Sequence, residues 1–300
     1  MTTRLLLASL LLLAACGGPA IDESKKNELK ARWQLFLADS PDWPEARAWW
    51  LQQEPAAVDL LTLNLLQAMV SDHVQYRKEM GARAGLVDFS DQAPDPDRLW
   101  RRAQAEMVDL PELSLGVLIE TLRRSDADVK DLMTSTFARI GRPALPRLEQ
   151  VLKDESEQQP RIVATHAIGR IGAEDPEATP EAQRILISLL KSDDDWAVRG
   201  EAARALGSFT STTAVSALAS ALTSDTDPFV QTKAAESLGQ IGGEPAERAL
   251  VAALPVIQRA NDLDLLRAVG RELRRLSGKR LPNDPRMWQQ YLTERYGSPR

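Results

Sequence analysis

Side chains of the types that do chemistry are few in this sequence, and they are scattered. The 300 residues include two histidines and one cysteine. A general base needs a nucleophile or an acid within reach, and neither His73 nor His166 has such a partner in a recognisable motif. A glycine-rich phosphate loop, a serine nucleophile elbow and a cysteine–histidine cluster are also missing from the sequence. We therefore predict no catalytic residues, no cofactor and no metal site, and a protein that is not an enzyme.

The acidic run Asp193-Asp194-Asp195 is the nearest approach to a cation site. It lacks the glycine and the distal glutamate that complete a calcium-binding loop. The run precedes a predicted helix, and Asp225 and Asp227 precede the equivalent helix further along the chain. An aspartate at this position accepts a hydrogen bond from a backbone amide of the helix. We therefore interpret both groups of aspartates as helix caps.

A column of mostly basic residues has a more suggestive spacing. Equivalent positions of successive predicted helices are occupied by Lys130, Arg161, Arg199 and Gln231, and Arg204 follows on the same helix as Arg199. In stacked helices these residues align into a ridge. A basic ridge on an acidic protein attracts an acidic partner, so we predict that a protein or peptide binds there.

The elements that must position these residues repeat along the chain. Pairs of leucines four residues apart, which share one face of a helix, occur five times in step. They are Leu118/Leu122, Leu148/Leu152, Leu186/Leu190, Leu218/Leu222 and Leu250/Leu254, at intervals of 30, 38, 32 and 32 residues. A second helix follows each pair, and Gly169, Gly207 and Gly239 fall in register within these second helices, where they allow a close approach. Because one helix pair cannot bury its apolar face alone, the period predicts an all-α solenoid.

The repeats are similar to a known class. Val198-Arg199 with Glu201–Gly207, and the looser copy Val230–Gly239, resemble the short HEAT-like repeats of phycobilin-lyase-type proteins. The resemblance covers residues 113–277 and implies a right-handed α-solenoid of about five helix pairs. In HEAT-like families a residue in the basic column often pairs with an aspartate of the turn, so a structural role competes with the binding role. A lyase or tetrapyrrole-binding function is a further implication, although fold does not fix function.

The first fifteen residues have the pattern of an export signal. Arg4 precedes an apolar run, Leu5–Leu13, that is too short to span a bilayer. The following Leu13-Ala14-Ala15-Cys16 resembles the lipobox of bacterial lipoproteins, in which the cysteine is acylated and becomes the first mature residue. The resemblance implies a palmitate-type lipid on Cys16 and a place in the cell envelope, on the periplasmic side of the outer membrane if the host is Gram-negative. An ordinary secretory signal with a free cysteine is the alternative.

Composition divides the chain into five segments. They are a signal peptide (residues 1–15), a tether (16–21), a tryptophan-rich helical region (22–109), the repeats (110–277) and a capping helix (278–300). We interpret the tryptophan-rich region as a cap over the open end of the repeats. A ligand pocket around Trp49 and Trp50 is the alternative. Two predicted loops, Asp154–Pro160 and Ala173–Ala182, interrupt the repeats. We interpret them as solvent-exposed insertions, with a place on the binding side as the alternative.

Overall composition limits the function. Hydrophobic residues make up 43% and charged residues 27% of the chain, and the net charge is −6. These values are typical of a globular protein and argue against a general nucleic-acid binder. We therefore predict a membrane-anchored, non-enzymatic scaffold that binds a protein or peptide on the solenoid surface. A purely structural envelope lipoprotein is a second alternative, beside the tetrapyrrole-binding one.

Overall fold

The computed structural model describes residues 23–53, 55–83, 98–124, 127–154 and 156–298. Within these ranges the regular structure is α-helical apart from one 3₁₀ turn, Arg142–Ala144, and no strand occurs. The predicted all-α solenoid class is confirmed. The chain folds as two units, residues 1–136 and 137–300. In the described part, no helix has both the length and the apolar character needed to cross a membrane.

The first unit contains six helices in its described part, of which the last continues into the second unit. They are α1 Glu23–Leu37, α2 Trp43–Leu51, α3 Pro55–Arg83, α4 Leu99–Asp109, α5 Pro111–Arg124 and α6 Ala127–Ile140. The long helix α3 buries side chains on most of its circumference between residues 57 and 69. Such a helix must be covered by neighbours, and α4 and α5 both pack on it.

The core of the first unit is largely aromatic. Trp33 stacks on Phe36 with ring centroids 4.8 Å apart and meets the edges of Trp43 and Trp50 at 6.3 and 6.4 Å. All four rings are buried. The indole N–H of Trp50 donates to the carbonyl of Ala57, so its single polar group is satisfied inside the core. These tryptophans therefore pack against one another, and Trp50 does not line an open pocket.

The second unit alternates first and second helices of the repeats and ends with a capping helix. The helices are α7 Leu145–Asp154, α8 Gln158–Glu174, α9 Thr179–Ser192, α10 Trp196–Leu206, α11 Thr212–Ser224, α12 Pro228–Ile241, α13 Gly243–Ala260, α14 Leu263–Ser277 and α15 Pro285–Tyr296. The predicted leucine pairs of this unit are buried. Second helices α8, α10, α12 and α14 pack in sequence, and so do first helices α9, α11 and α13. The repeat geometry predicted from the leucine spacing is thus present.

Two of the register glycines lie where neighbouring helices approach closely. A Cβ added to Gly169 would lie 2.6 Å from the Cβ of Ala205, and one added to Gly239 would lie 2.3 Å from Oε2 of Glu272. Gly207 differs from the prediction, since α10 ends at Leu206 and Gly207 is its C-cap with φ of −60°. It stands at a helix end because the chain turns there into the short connection to α11.

The predicted loop Ala173–Ala182 is mostly helical. Helix α8 continues to Glu174 and α9 begins at Thr179, which leaves a turn of residues 175–178. The carboxylate of Asp175 holds this turn, since it accepts hydrogen bonds from the backbone amides of Arg142 and Glu177, both at 3.0 Å. The extra residues of this repeat therefore lengthen helices and do not form a large surface loop.

Candidate interaction surface

The basic column lies at the ends of the second helices, next to the turns that precede them. Arg161 of α8 forms an ion pair with Asp193, which lies in the turn before α10. Arg199 of α10 repeats the arrangement one unit later, with hydrogen bonds of 2.9 and 3.1 Å to the two carboxylate oxygens of Asp225. The arginine side chains are 17% and 14% exposed and those of the aspartates 5% and 8%. The two ion pairs are therefore largely shielded from solvent.

Further hydrogen bonds link these pairs to the backbone of the turns. Arg199 also donates to the carbonyls of Asp193 and Asp194, at 2.9 and 3.2 Å. The side-chain amide of Gln231 donates to the carbonyl of Asp225 at 2.9 Å. Hydrogen bonds to Asp225 outweigh the cost of burial and raise the pKa of Arg199. Arg161, Arg199 and Gln231 thus fix two successive turns, those before α10 and α12.

The remaining predicted site residues lie elsewhere. Arg204 is on the exposed face of α10, where its Nε donates to Glu201 at 2.9 Å. Lys130 lies partly buried on α6 in the first unit. Cys16 lies outside the described residues. His166 is partly exposed beside Arg170 and Arg204, in a shallow depression of about 90 Å³.

A row of exposed apolar side chains runs along the same edge of the second unit, and the sequence analysis missed it. Trp196, Phe229 and Leu263 are 47%, 43% and 55% exposed. Each occurs at the start of a second helix, as the first residue of α10, the second of α12 and the first of α14. We call these three residues the apolar row. It contains three of the five large hydrophobic side chains that are exposed in the described ranges.

The first two members of the apolar row contact each other. The rings of Trp196 and Phe229 meet edge to face, with centroids 5.3 Å apart and an interplanar angle of 83°. Gly200 makes room for this arrangement, because a Cβ at that position would lie 2.4 Å from Cε1 of Phe229. Lys233, one turn further along α12, holds its ammonium 5.4 Å from the Phe229 ring centroid. The aromatic pair is therefore exposed but held in place.

Each residue of the aromatic pair lies within two residues of a capping carboxylate. Asp195 caps α10 by accepting from the amide of Ala197, and Asp227 caps α12 by accepting from the amide of Phe229, both at 2.8 Å. The capping interpretation is confirmed for these two, whereas Asp193 binds Arg161 and Asp225 binds Arg199. Burial acts to raise the pKa of Asp195, but hydrogen bonds from Gln158 and the helix backbone prevail and lower it.

An open groove of about 420 Å³ adjoins the same turns, and Lys191, Asp194, Arg199 and Ser220 are among its lining residues. Part of this edge is therefore concave and polar, next to the apolar row. No group of three histidine, cysteine, aspartate or glutamate side chains is arranged to hold a metal ion anywhere in the part of the chain that the structure describes.

A comparison with protein families agrees with the repeat architecture. A family model of HEAT repeats matches residues 183–274, which include α10, α11, α12 and α13. The second unit contains HEAT-like repeats. Two crystal structures of engineered proteins are similar to the chain. The first is 22% identical in sequence, and the match covers 74% of this chain and 96% of the engineered chain, with a TM-score of 0.38. The second is 19% identical, and the match covers 97% of this chain and 82% of the engineered chain, with a TM-score of 0.41. No curated protein matches.

Proposed function

We propose that the protein is a lipid-anchored scaffold that holds a protein partner along the apolar row of its second unit. One observation carries the proposal: Trp196, Phe229 and Leu263 are exposed at equivalent ends of three consecutive second helices. Exposed apolar side chains that cluster on a folded protein mark sites of interaction, and aromatic residues dominate the energy of such sites. Solenoids use rows of this kind because each repeat contributes one position to an extended surface.

Two arginines of the basic column stabilise the turns between helices, and each is already paired with an aspartate. Arg161 and Arg199 hold buried aspartates of the turns, so an acidic partner that binds these arginines has to displace Asp193 and Asp225. Removing a buried carboxylate from its cation is costly. Docking on the basic column remains a prediction, but the apolar row offers a surface that needs no such rearrangement.

The membrane anchor rests on the sequence of the N-terminus. The Leu13-Ala14-Ala15-Cys16 motif after an apolar run supports acylation of Cys16, and several acyl chains anchor a protein stably whereas one does not. We expect Cys16→Ser to move the protein from the membrane to the soluble fraction, with the loss of lipid measured by mass spectrometry. Unchanged fractionation with an unmodified cysteine in the wild type would contradict the anchor.

Site-directed photo-crosslinking in native membranes tests the scaffold. A benzophenone analogue of phenylalanine at position 229 should give one stoichiometric adduct with a single partner. The same analogue at Met287, an exposed apolar position on α15 outside the apolar row, is the matched control and should give none. Equal labelling from both positions, or none from position 229, would remove the support for docking on this row.

A further inference from the structure

The apolar row stands in a strongly acidic part of the second unit. The four turns that precede α8, α10, α12 and α14 each contain carboxylates. They are Glu157; Asp193, Asp194 and Asp195; Asp225 and Asp227; and Asp262. Two of these charges, on Asp193 and Asp225, are neutralised by the buried arginines. This edge therefore keeps an excess of negative charge after its internal ion pairs are made.

The carboxylates nearest the aromatic pair belong to this excess. Asp194 is exposed, and Asp195 and Asp227 are half-buried at the two helix caps beside Trp196 and Phe229. Across the described ranges, these three make no ion pair with a lysine or arginine. The lowered pKa of Asp195 means that it stays ionised at neutral pH. A partner that covers Trp196 and Phe229 must therefore approach three negative charges.

The aromatic pair also accepts a cation directly. The ammonium of Lys233 stands 5.4 Å from the Phe229 ring centroid, in the range of a cation–π contact. Tryptophan binds cations more strongly than phenylalanine does. Trp196 is nearly half exposed, and within the described ranges no lysine or arginine makes a cation–π contact with its ring. Trp196 is thus an exposed ring at the start of a helix whose N-cap is a carboxylate, an environment that suits a lysine or arginine of a partner.

From this charge complementarity we infer that the apolar row binds a basic segment of the partner, one in which lysine or arginine alternates with apolar side chains. The inference rests on the proposed function and adds the chemistry of the partner. Apolar side chains of the segment pack on Trp196, Phe229 and Leu263, and its cations meet Asp194, Asp195 and Asp227. The sign of charge is opposite to that predicted for a partner of the basic column, because the arginines of that column are already bound to aspartates.

Three short peptides with the full-length chain test the inference. The first alternates lysine and leucine, the second replaces each lysine by glutamate, and the third replaces each leucine by serine. Fluorescence anisotropy should show the strongest binding for the lysine–leucine peptide, weaker for lysine–serine and none for glutamate–leucine. Binding of the lysine–leucine peptide should weaken when salt rises from about 0.05 M to about 0.5 M, because exposed charges are then screened.

A double variant removes two negative charges beside the apolar row and should leave the fold intact. Asp194→Asn with Asp227→Asn keeps a side-chain oxygen that can cap α12, since asparagine is also a good N-cap. This double variant should bind the lysine–leucine peptide about tenfold more weakly than the wild type. The matched control, Glu244→Gln with Glu294→Gln, makes the same change of net charge at exposed positions of α13 and α15 and should bind like the wild type. Equal affinity of both double variants would overturn the inference, as would preferred binding of the glutamate–leucine peptide.

The outcomes separate this inference from the proposed function. If crosslinking at position 229 captures a partner whose labelled segment is acidic or uncharged, the scaffold stands and the basic segment is wrong. If the chain alone self-associates in light scattering, and Trp196→Ser abolishes that association, the row belongs to a second copy and the inference is also overturned. Absence of any adduct at position 229 contradicts the proposed function itself.

Discussion

The guanidinium of Arg199 binds both carboxylate oxygens of Asp225, 26 residues away, at 2.9 and 3.1 Å. The same arginine donates to the carbonyl of Asp193 at 2.9 Å, and Asp193 in turn accepts from Arg161. One side chain therefore connects two successive inter-helix turns of the second unit. Since these turns start α10 and α12, the contact fixes the spacing of the helix ends that present Trp196 and Phe229.

Removal of the Arg199 side chain should destabilise the second unit. Arg199→Ala leaves the Asp225 carboxylate buried without its cation, and we expect the free energy of unfolding to fall by about 1–3 kcal/mol. Urea denaturation measures the change. The control is Arg204→Ala, whose ion pair with Glu201 is exposed and should cost less than about 1 kcal/mol.

A double-mutant cycle separates the pair from its surroundings. Asp225→Ala alone should also destabilise, and the double variant should lose less than the sum of the single losses, because the two residues are coupled. Strictly additive losses would mean that Arg199 and Asp225 do not stabilise each other. Stable single variants that fail to capture the partner would favour the binding role of the basic column.

Acidification should weaken the second unit through Asp195. Hydrogen bonds lower the pKa of this carboxyl in the folded chain despite its burial, so the ionised form stabilises the fold above the ordinary pKa of an aspartate. That contribution is lost as the pH falls through the lowered folded-state pKa. The free energy of unfolding, measured by urea titration at several pH values below about pH 4, should decrease less steeply in Asp195→Asn. An unchanged slope would assign the acid sensitivity to other carboxylates.

Helix starts could be predicted well because their signals are local. The aspartates Asp225 and Asp227 predicted a helix start, and α12 begins at Pro228 with Asp227 as its cap. Within the predicted capping region 278–300, α15 begins in the same way at Pro285, with Asp284 as its cap. In each case the cap and the proline act within two residues of the boundary, so no knowledge of the tertiary fold is needed.

Contacts between repeats could not be assigned from the sequence alone. The basic column was visible, but whether Arg199 meets a partner or Asp225 depends on how α10 and α12 stack. Exposure of Trp196 was missed because a tryptophan is usually buried. A signal did exist: Trp196 and Phe229 directly follow the capped helix starts, whereas the buried positions begin at Val198 and Val230.

The tryptophan cluster of the first unit should behave as core. Trp50 is fully buried against Trp33, so Trp50→Ala should lower the free energy of unfolding by about 3–5 kcal/mol. Trp196→Ala is the matched control in the same chain and should cost less than about 1 kcal/mol, since much of that side chain is exposed. Chemical denaturation followed by circular dichroism compares the two. Similar small losses would reopen the interpretation of Trp50 as part of a ligand site.

Gly169 should tolerate no side chain. Its added Cβ meets the Cβ of Ala205 at 2.6 Å and the Ala205 Cα at 3.5 Å, and neither atom can move without shifting α10. We expect Gly169→Ala to destabilise by about 1–3 kcal/mol, even though alanine favours a helix more than glycine does. A thermal midpoint equal to that of the wild type would show that α8 and α10 approach less closely.

Replacement of Gly200 by alanine should leave the stability unchanged or slightly raised, in contrast to Gly169→Ala. The new Cβ lies 2.4 Å from the Phe229 ring, but that ring is 43% exposed and can swing into solvent. Because alanine gains up to about 1 kcal/mol of helix propensity, Gly200→Ala should keep or slightly raise the thermal midpoint. Displacement of the ring breaks its edge contact with Trp196 and should reduce binding of the lysine–leucine peptide several-fold, to about the level of Phe229→Ala. If Gly200→Ala is stable and binds the peptide like the wild type, the fixed geometry of the aromatic pair is not needed for recognition. If the variant is strongly destabilised, Phe229 belongs to the core of the second unit.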